Sequence, residues 1–168
     1  MYRVGDLIVY GEDGVCRVEE IGPLNAAWAE KGVQYYTLSP IYHSGHIFLP
    51  VEPGAFTRPI MTREQALELI LRIPDIPEQI CEQTSPRLLQ EQYKASLKSH
   101  DSEQWLRLIR SVRAKQADCA RRGRHLGQVD ERSMKRAEEL LHGELAAALD
   151  IPVDEVASFI ARTLGEDN

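Results

Sequence analysis

The chain has 168 residues, 43% of them hydrophobic and 27% charged, with a formal net charge of −6 at neutral pH. No apolar run approaches the roughly 18 residues that a membrane helix needs, and no signal-like segment precedes the first strand. A cytoplasmic protein with no membrane partner is expected, and a membrane-spanning one is excluded. In chain order, the run Val4-Gly5-Asp6-Leu7-Ile8-Val9-Tyr10 passes from turn formers to β-branched and aromatic residues that favour a half-buried pleated surface. Gly11-Glu12-Asp13-Gly14 tolerates the positive φ of a reversal, and the stretch after it, residues 15–21, alternates apolar and polar with period two. Val15 and Arg17 are therefore expected on the face opposite Cys16 and Val18, unless a bulge shifts the register.

Two further strand-like runs, residues 33–38 and 46–51, flank a turn-rich segment, giving a sheet of four or five strands within roughly the first 55 residues. A sheet this small needs closure, so a compact bent barrel is expected. Pro and Gly punctuate residues 50–59, which read as a linker, and the later segments show helical periodicity. The expected division is residues 1–58 as a β domain and 59–168 as a helical domain.

Thr62 is placed to cap the first helix with Gln65 at the capping-box position, and Pro74 and Pro77 end it. Ser85-Pro86 starts a second helix that runs toward Lys98. Asp101 or Ser102 caps a third, which carries Trp105, Leu106, Leu108, Ile109 and Val112 on one face until Gly123 breaks it. A fourth begins near Asp130, and Pro152 opens a fifth. The fold class expected is α+β: a small N-terminal β-barrel followed by about five helices.

The overall charge hides a division. Residues 1–60 carry −3, 61–86 carry −3, 87–136 carry +7 and 137–168 carry −7. A +7 block on helices two to four suits a phosphate backbone, while a solvated face paired with the acidic segment after it is the plainer alternative. Signals for chemistry are few. Cys16, Cys81 and Cys119 are odd in number, lie far apart and show no C-x-x-C spacing, and so read as reduced thiols. His43 and His46 flank a turn with no carboxylate or thiol at ligand spacing, and Trp105 lies on an apolar helical stripe that suits a core. The sequence has no phosphate-cradling glycine loop, nucleophile elbow or Ser, His and Asp grouping. A non-enzymatic protein without cofactor or metal is expected.

One resemblance covers the chain. Val4-Gly5-Asp6, Val9-Tyr10, Gly14-Val15, Val18 and Ile21 resemble the opening of the CarD (CarD/CdnL) family of bacterial transcription regulators. Tyr36-Thr37-Leu38 and Leu49-Pro50-Val51 resemble later parts of the same domain, which the family shares with the polymerase-interacting region of the transcription-repair coupling factor. Tyr93-Lys94-Ala95-Ser96-Leu97 is similar to the family's Y-K-x-x-L helix, and Leu141-His142-Gly143-Glu144-Leu145-Ala146 to its terminal L-x-G-E-L-A.

The resemblance implies a Tudor-like barrel that binds the β subunit of RNA polymerase at its protrusion and lobe. It also implies a helical domain that reaches promoter DNA at the upstream fork of the bubble and stabilises the open complex. The residues implied for polymerase contact are Leu24, Tyr36, Ile47 and Phe48. The DNA-contact candidates are Leu89, Lys94 and Arg136, which align with family positions, and Arg87, Lys98 and Arg132, which could rebuild a basic face nearby. The sequence departs from the family pattern at several of these positions. Leu89 stands where the family has a wedging tryptophan, Glu91 and Gln92 where it has arginines, and Leu24 and Phe48 where it often has arginines. Leu89 therefore reads as wedge or as core, and Phe48 as interface or as barrel interior. A polymerase-bound adaptor whose helical domain binds protein or itself is the alternative function, and a monomer is the default state.

Overall fold

The computed structural model describes residues 1–52, 56–81 and 85–166. These residues fall into two compact units, Met1–Ile60 and Met61–Asn168. Pro53, Gly54 and Ala55, in the stretch read as a linker, lie outside the described residues.

The first unit is a five-stranded antiparallel sheet, fold class α+β with the helices that follow it in the chain. Strands β1 (Leu7–Tyr10), β2 (Gly14–Gly22), β3 (Tyr35–Pro40), β4 (Ile47–Pro50) and β5 (Thr57–Pro59) stand in the order β4-β3-β2-β1-β5. The β1–β2 reversal is a single tight helical turn at Gly11–Asp13, and Gly11 and Gly14 on either side take φ of 50° and 75°, which glycine reaches without a steric penalty. Pairing of Ile8 with Cys16 and of Val18 with Leu38 puts these side chains on one face, where Tyr36 and Leu49 complete the core. The register shifts between Val18 and Glu20, and that bulge decides the rest of the strand. Strict alternation would point Glu20 inward and Ile21 outward. The extra residue instead sets Glu20 opposite Thr37 on the outer face and Ile21 opposite Tyr36 on the core side.

Residues 57–59, read from sequence as linker, form β5 and pair with β1. Pro59 is compatible with this because β5 is an edge strand of three residues, where a missing donor costs no ladder bond.

The second unit holds α1 (Arg63–Arg72), α2 (Pro86–Leu97), α3 (Ser102–Arg121), α4 (Gln128–Leu149) and α5 (Val156–Thr163). The caps follow the expected chemistry. The Thr62 side chain accepts from the Gln65 N–H, and the Gln65 side chain accepts from the Thr62 N–H. Ser85 and Asp101 cap α2 and α3, and Gly123 at φ 67° follows the end of α3. Helix α4 starts two residues before Asp130, with Gly127 at its N-cap, because Asp130 faces the unit's interior and not the cap position. The apolar stripe of α3, with Trp105 and Val112 wholly buried, packs against α4, whose Leu141, Leu145 and Leu149 are also buried.

Two buried acids tie the helices together. Glu144 is fully buried and its Oε2 accepts the Met61 N–H at 2.9 Å, so it satisfies backbone that precedes α1. Asp130 accepts the Tyr93 hydroxyl at 2.7 Å and lies 3.0 Å from Lys115 Nζ, which joins α2, α3 and α4 at one point. No helix of the described residues is long and apolar enough to cross a membrane.

Candidate protein and nucleic-acid interfaces

On the sheet unit, one set of exposed residues lies on the outer face beside β4. Phe48 pairs across the ladder with Thr37, and Thr37 with Glu20, so the three share a row. Their face lies opposite the one bearing Leu49 and Ile47. Phe48 is 43% exposed, which assigns it to the surface and not to the interior. Ile47 is half-buried against the core, and Leu24 is half-buried in the β2–β3 connection. Tyr36 is 5% exposed, and its hydroxyl accepts the Tyr2 N–H at 3.1 Å. It supports the sheet from within.

Sequence reasoning passed over Trp28. It sits on a turn closed by the Ala29 N–H to the Ala26 carbonyl, and it is 61% exposed. Its ring lies 5.7 Å from Phe48 and 6.0 Å, edge-on, from Tyr35. Tyr35 is buried, and its hydroxyl accepts the Glu30 N–H at 3.1 Å, which fixes the connection over the sheet. The available signal was a large aromatic in a polar connection, with no periodicity to place it. Strand β4 stands at one end of the strand order, so its outer side carries no ladder partner among the described residues. An unpaired strand edge beside exposed rings is the arrangement that accepts an added strand.

In the helical unit, Arg87 and Lys94 on α2 and Lys98 at its C-cap fall at i, i+7 and i+11, a single solvent-facing stripe. Glu91 shares that stripe, 3.7 Å from Arg87. Arg132 and Arg136 are neighbours one turn apart on α4; the first donates to Gln128 and the second pairs with Glu139. Of the cations between residues 87 and 136, Lys94, Lys98, Arg107, Arg124, Arg132 and Lys135 carry no ion pair among the described residues. The acidic segment does fold back in part, as Arg113 meets Glu138 at 2.8 Å.

Leu89 differs from the wedge reading. It is 6% exposed and turned inward beside Tyr93, about half a helical turn around α2 from the basic stripe. Trp105 is fully buried and donates from Nε1 to the Leu97 carbonyl at 3.3 Å, so it too is core. A cavity of about 600 Å³ opens beside Leu89, with Lys115, Arg122, Arg124 and His125 on its walls.

Burial sets the titration of four groups, among them the Tyr42 phenol, which it raises. It raises the Cys16 thiol to about 12, with the nearby Asp13 charge adding to the effect, so this cysteine stays an unreactive thiol. It raises the Tyr93 phenol as well, helped by the hydrogen bond and charge of Asp130. It lowers His142, against an opposing pull from Glu138 and alongside Arg113. His43 and His46 are exposed on the β3–β4 turn, and no group of three or more metal-ligating side chains occurs among the described residues.

The sheet unit thus presents an unpaired strand edge beside exposed aromatic rings among the described residues. Residues 2–54 match the family model described as the CarD-like/TRCF RID domain. The N-terminal unit is a CarD-like/TRCF RID domain, a domain that implies RNA polymerase binding. CarD-like proteins are generally non-catalytic, whereas the coupling factor that shares the domain is an enzyme. A search of curated proteins found no match to the chain.

Proposed function

We propose that this protein is a non-catalytic, CarD-like transcription regulator that binds the β subunit of RNA polymerase at its protrusion and lobe. The RID match over residues 2–54 carries this reading. The exposure of Phe48 beside the unpaired side of β4 supports it, because strand addition supplies main-chain hydrogen bonds and an apolar side chain supplies selectivity. Through polymerase the protein resides in the cytoplasm at the nucleoid. The helical unit contacts promoter DNA near the upstream fork through the stripe Arg87, Lys94 and Lys98 and the pair Arg132 and Arg136. Among the described residues, Lys94, Lys98 and Arg132 have no carboxylate partner to displace before reaching phosphate. A protein that binds the melted promoter better than the closed one stabilises the open complex by that difference in affinity.

The polymerase claim is tested by titrating the full chain against core polymerase and repeating with Phe48→Asp. Wild-type binding is expected, with the variant weaker by about tenfold or more and its melting curve unchanged. For DNA, Lys94→Glu with Lys98→Glu is expected to weaken binding to a forked promoter fragment and to shallow its salt dependence. An unchanged affinity and open-complex lifetime in that double variant would sink the DNA contact. A polymerase-bound adaptor with no nucleic-acid role would then remain.

A further inference from the structure

We propose that Trp28 and Phe48, flanked by Glu20 and Glu30, form an arginine-reading patch. A polymerase strand lies along the open side of β4 and spreads an arginine across the Trp28 ring. This rests on the polymerase reading above and supplies the chemistry of the partner.

Trp28, Phe48 and Tyr35 form one contiguous array, with neighbouring centroids 5.7 and 6.0 Å apart. The two outer rings are 61% and 43% exposed, while Tyr35 beneath them is buried. The array is also held in place. The Tyr35 hydroxyl accepts the Glu30 N–H, and successive turns at Ala26–Ala29 and Glu30–Val33 fix the connection that carries Trp28. A preordered ring loses little rotamer freedom on binding, the property that makes tryptophan a frequent anchor.

The charge around these rings selects the occupant. Glu20 lies two strands from Phe48 in the same cross-strand row, roughly 10 Å away at the usual strand spacing. Glu30 follows Trp28 by two residues, and its backbone reaches Tyr35. Both carboxylates are exposed and neither has an ion pair among the described residues; Lys31 is the one cation of the connection. An acidic partner would meet like charge there, and a purely apolar one would strip water from both carboxylates without replacing it. A guanidinium satisfies both surfaces at once, because its plane stacks on indole and its edge donates to a carboxylate in a fork that lysine cannot match.

The test uses the full chain and purified core polymerase in a binding titration at several salt concentrations, each variant first checked by thermal melting. Trp28→Ala is expected to weaken binding about tenfold or more, and Trp28→Phe much less. Glu20→Gln with Glu30→Gln is expected to weaken binding severalfold and to flatten its salt dependence. Treating the polymerase alone with phenylglyoxal, which blocks guanidinium groups, is expected to weaken wild-type binding but to add little to the loss in Trp28→Ala. Wild type that binds while Trp28→Ala binds equally well overturns the patch and leaves the polymerase reading standing. Tighter binding by the double glutamine variant overturns the arginine. Self-association of the wild type that Trp28→Ala abolishes makes a second copy the occupant and overturns the proposal. Wild type that fails to bind polymerase ends both readings together.

Discussion

In the sheet unit the large aromatics Trp28 and Phe48 face solvent, whereas in the helical unit Leu89, Tyr93 and Glu144 all turn inward. Both sets sit in or beside stretches that resemble a family pattern, yet they arise from different demands. Leu141, Gly143, Glu144, Leu145 and Ala146 are every one buried, so the second motif of the helical unit is a packing motif. Resemblance there reports how α4 meets its neighbours. It says little about what the surface binds. In the sheet unit the exposed rings, which we propose dock a partner, are superimposed on a core that other residues build.

If that contrast is right, substitutions at the helical positions cost stability while those at the sheet patch do not. The largest effect is expected at Asp130. Replacing it with Ala leaves the Lys115 ammonium and the Tyr93 hydroxyl without their partner, at a cost of about 3 kcal/mol. Urea unfolding followed by circular dichroism measures it. A loss below about 1 kcal/mol would show the junction of α2, α3 and α4 to be dispensable.

Leu89→Ala comes next, at about 2–3 kcal/mol for a buried leucine, while Leu89→Met is expected to stay within about 1.5 kcal/mol. This pair separates core from wedge. A wedge would lose DNA affinity with stability intact; a core residue loses stability first. Tyr93→Phe removes one hydrogen bond but keeps the ring, so about 1 kcal/mol is expected. The raised phenol adds a high-pH corollary. The unfolded tyrosine ionises near 10 while the folded one does not, so stability from this group falls as pH climbs past 10, and the Tyr93→Phe variant lacks that fall.

Legibility divides along the same line. Capping residues act within a few positions, so Thr62 with Gln65, Ser85, and Gly123 could be read locally, and five helices followed from them. The β1–β2 hairpin was legible for the same reason, through Gly11 and Gly14. Strand β5 was not, because three residues ending in proline acquire strand character only by pairing with β1, almost fifty residues earlier. Tyr36 and Leu89 show the corresponding limit at the candidate sites. Neighbouring residues are similar in type, and only the pleat or the helix phase decides which of them faces out. Trp28 lay beyond periodicity altogether, because a turn and not a strand positions it.

A smaller effect is expected from pH at His142. Its folded pKa lies below the ordinary 6.5, chiefly from burial with Arg113 assisting and Glu138 opposing. The unfolded chain therefore binds the proton more readily, and the stability this residue contributes falls as pH drops through 6.5 toward the folded value. His142→Gln is expected to flatten that part of the melting-temperature profile between pH 7 and 5. An unchanged profile would mean that the imidazole is solvated, and would weaken the view of the α4 motif as core.

The smallest effect on stability is expected at Trp28 and Phe48, and it is the sharpest test of the contrast. Rings that are 61% and 43% exposed contribute little to the sheet, so Trp28→Ala and Phe48→Ser are each expected to change unfolding free energy by only about 0.5 kcal/mol. The core face, with Ile8, Cys16, Val18 and Leu38 fully buried, is untouched by either change. Denaturant unfolding of the full chain, followed by near-ultraviolet circular dichroism, gives the comparison with Leu89→Ala directly. Loss of 2 kcal/mol or more at Trp28 would mean that its turn is a structural cover for Tyr35, and the division between a surface that docks and a core that folds would not hold in the sheet unit.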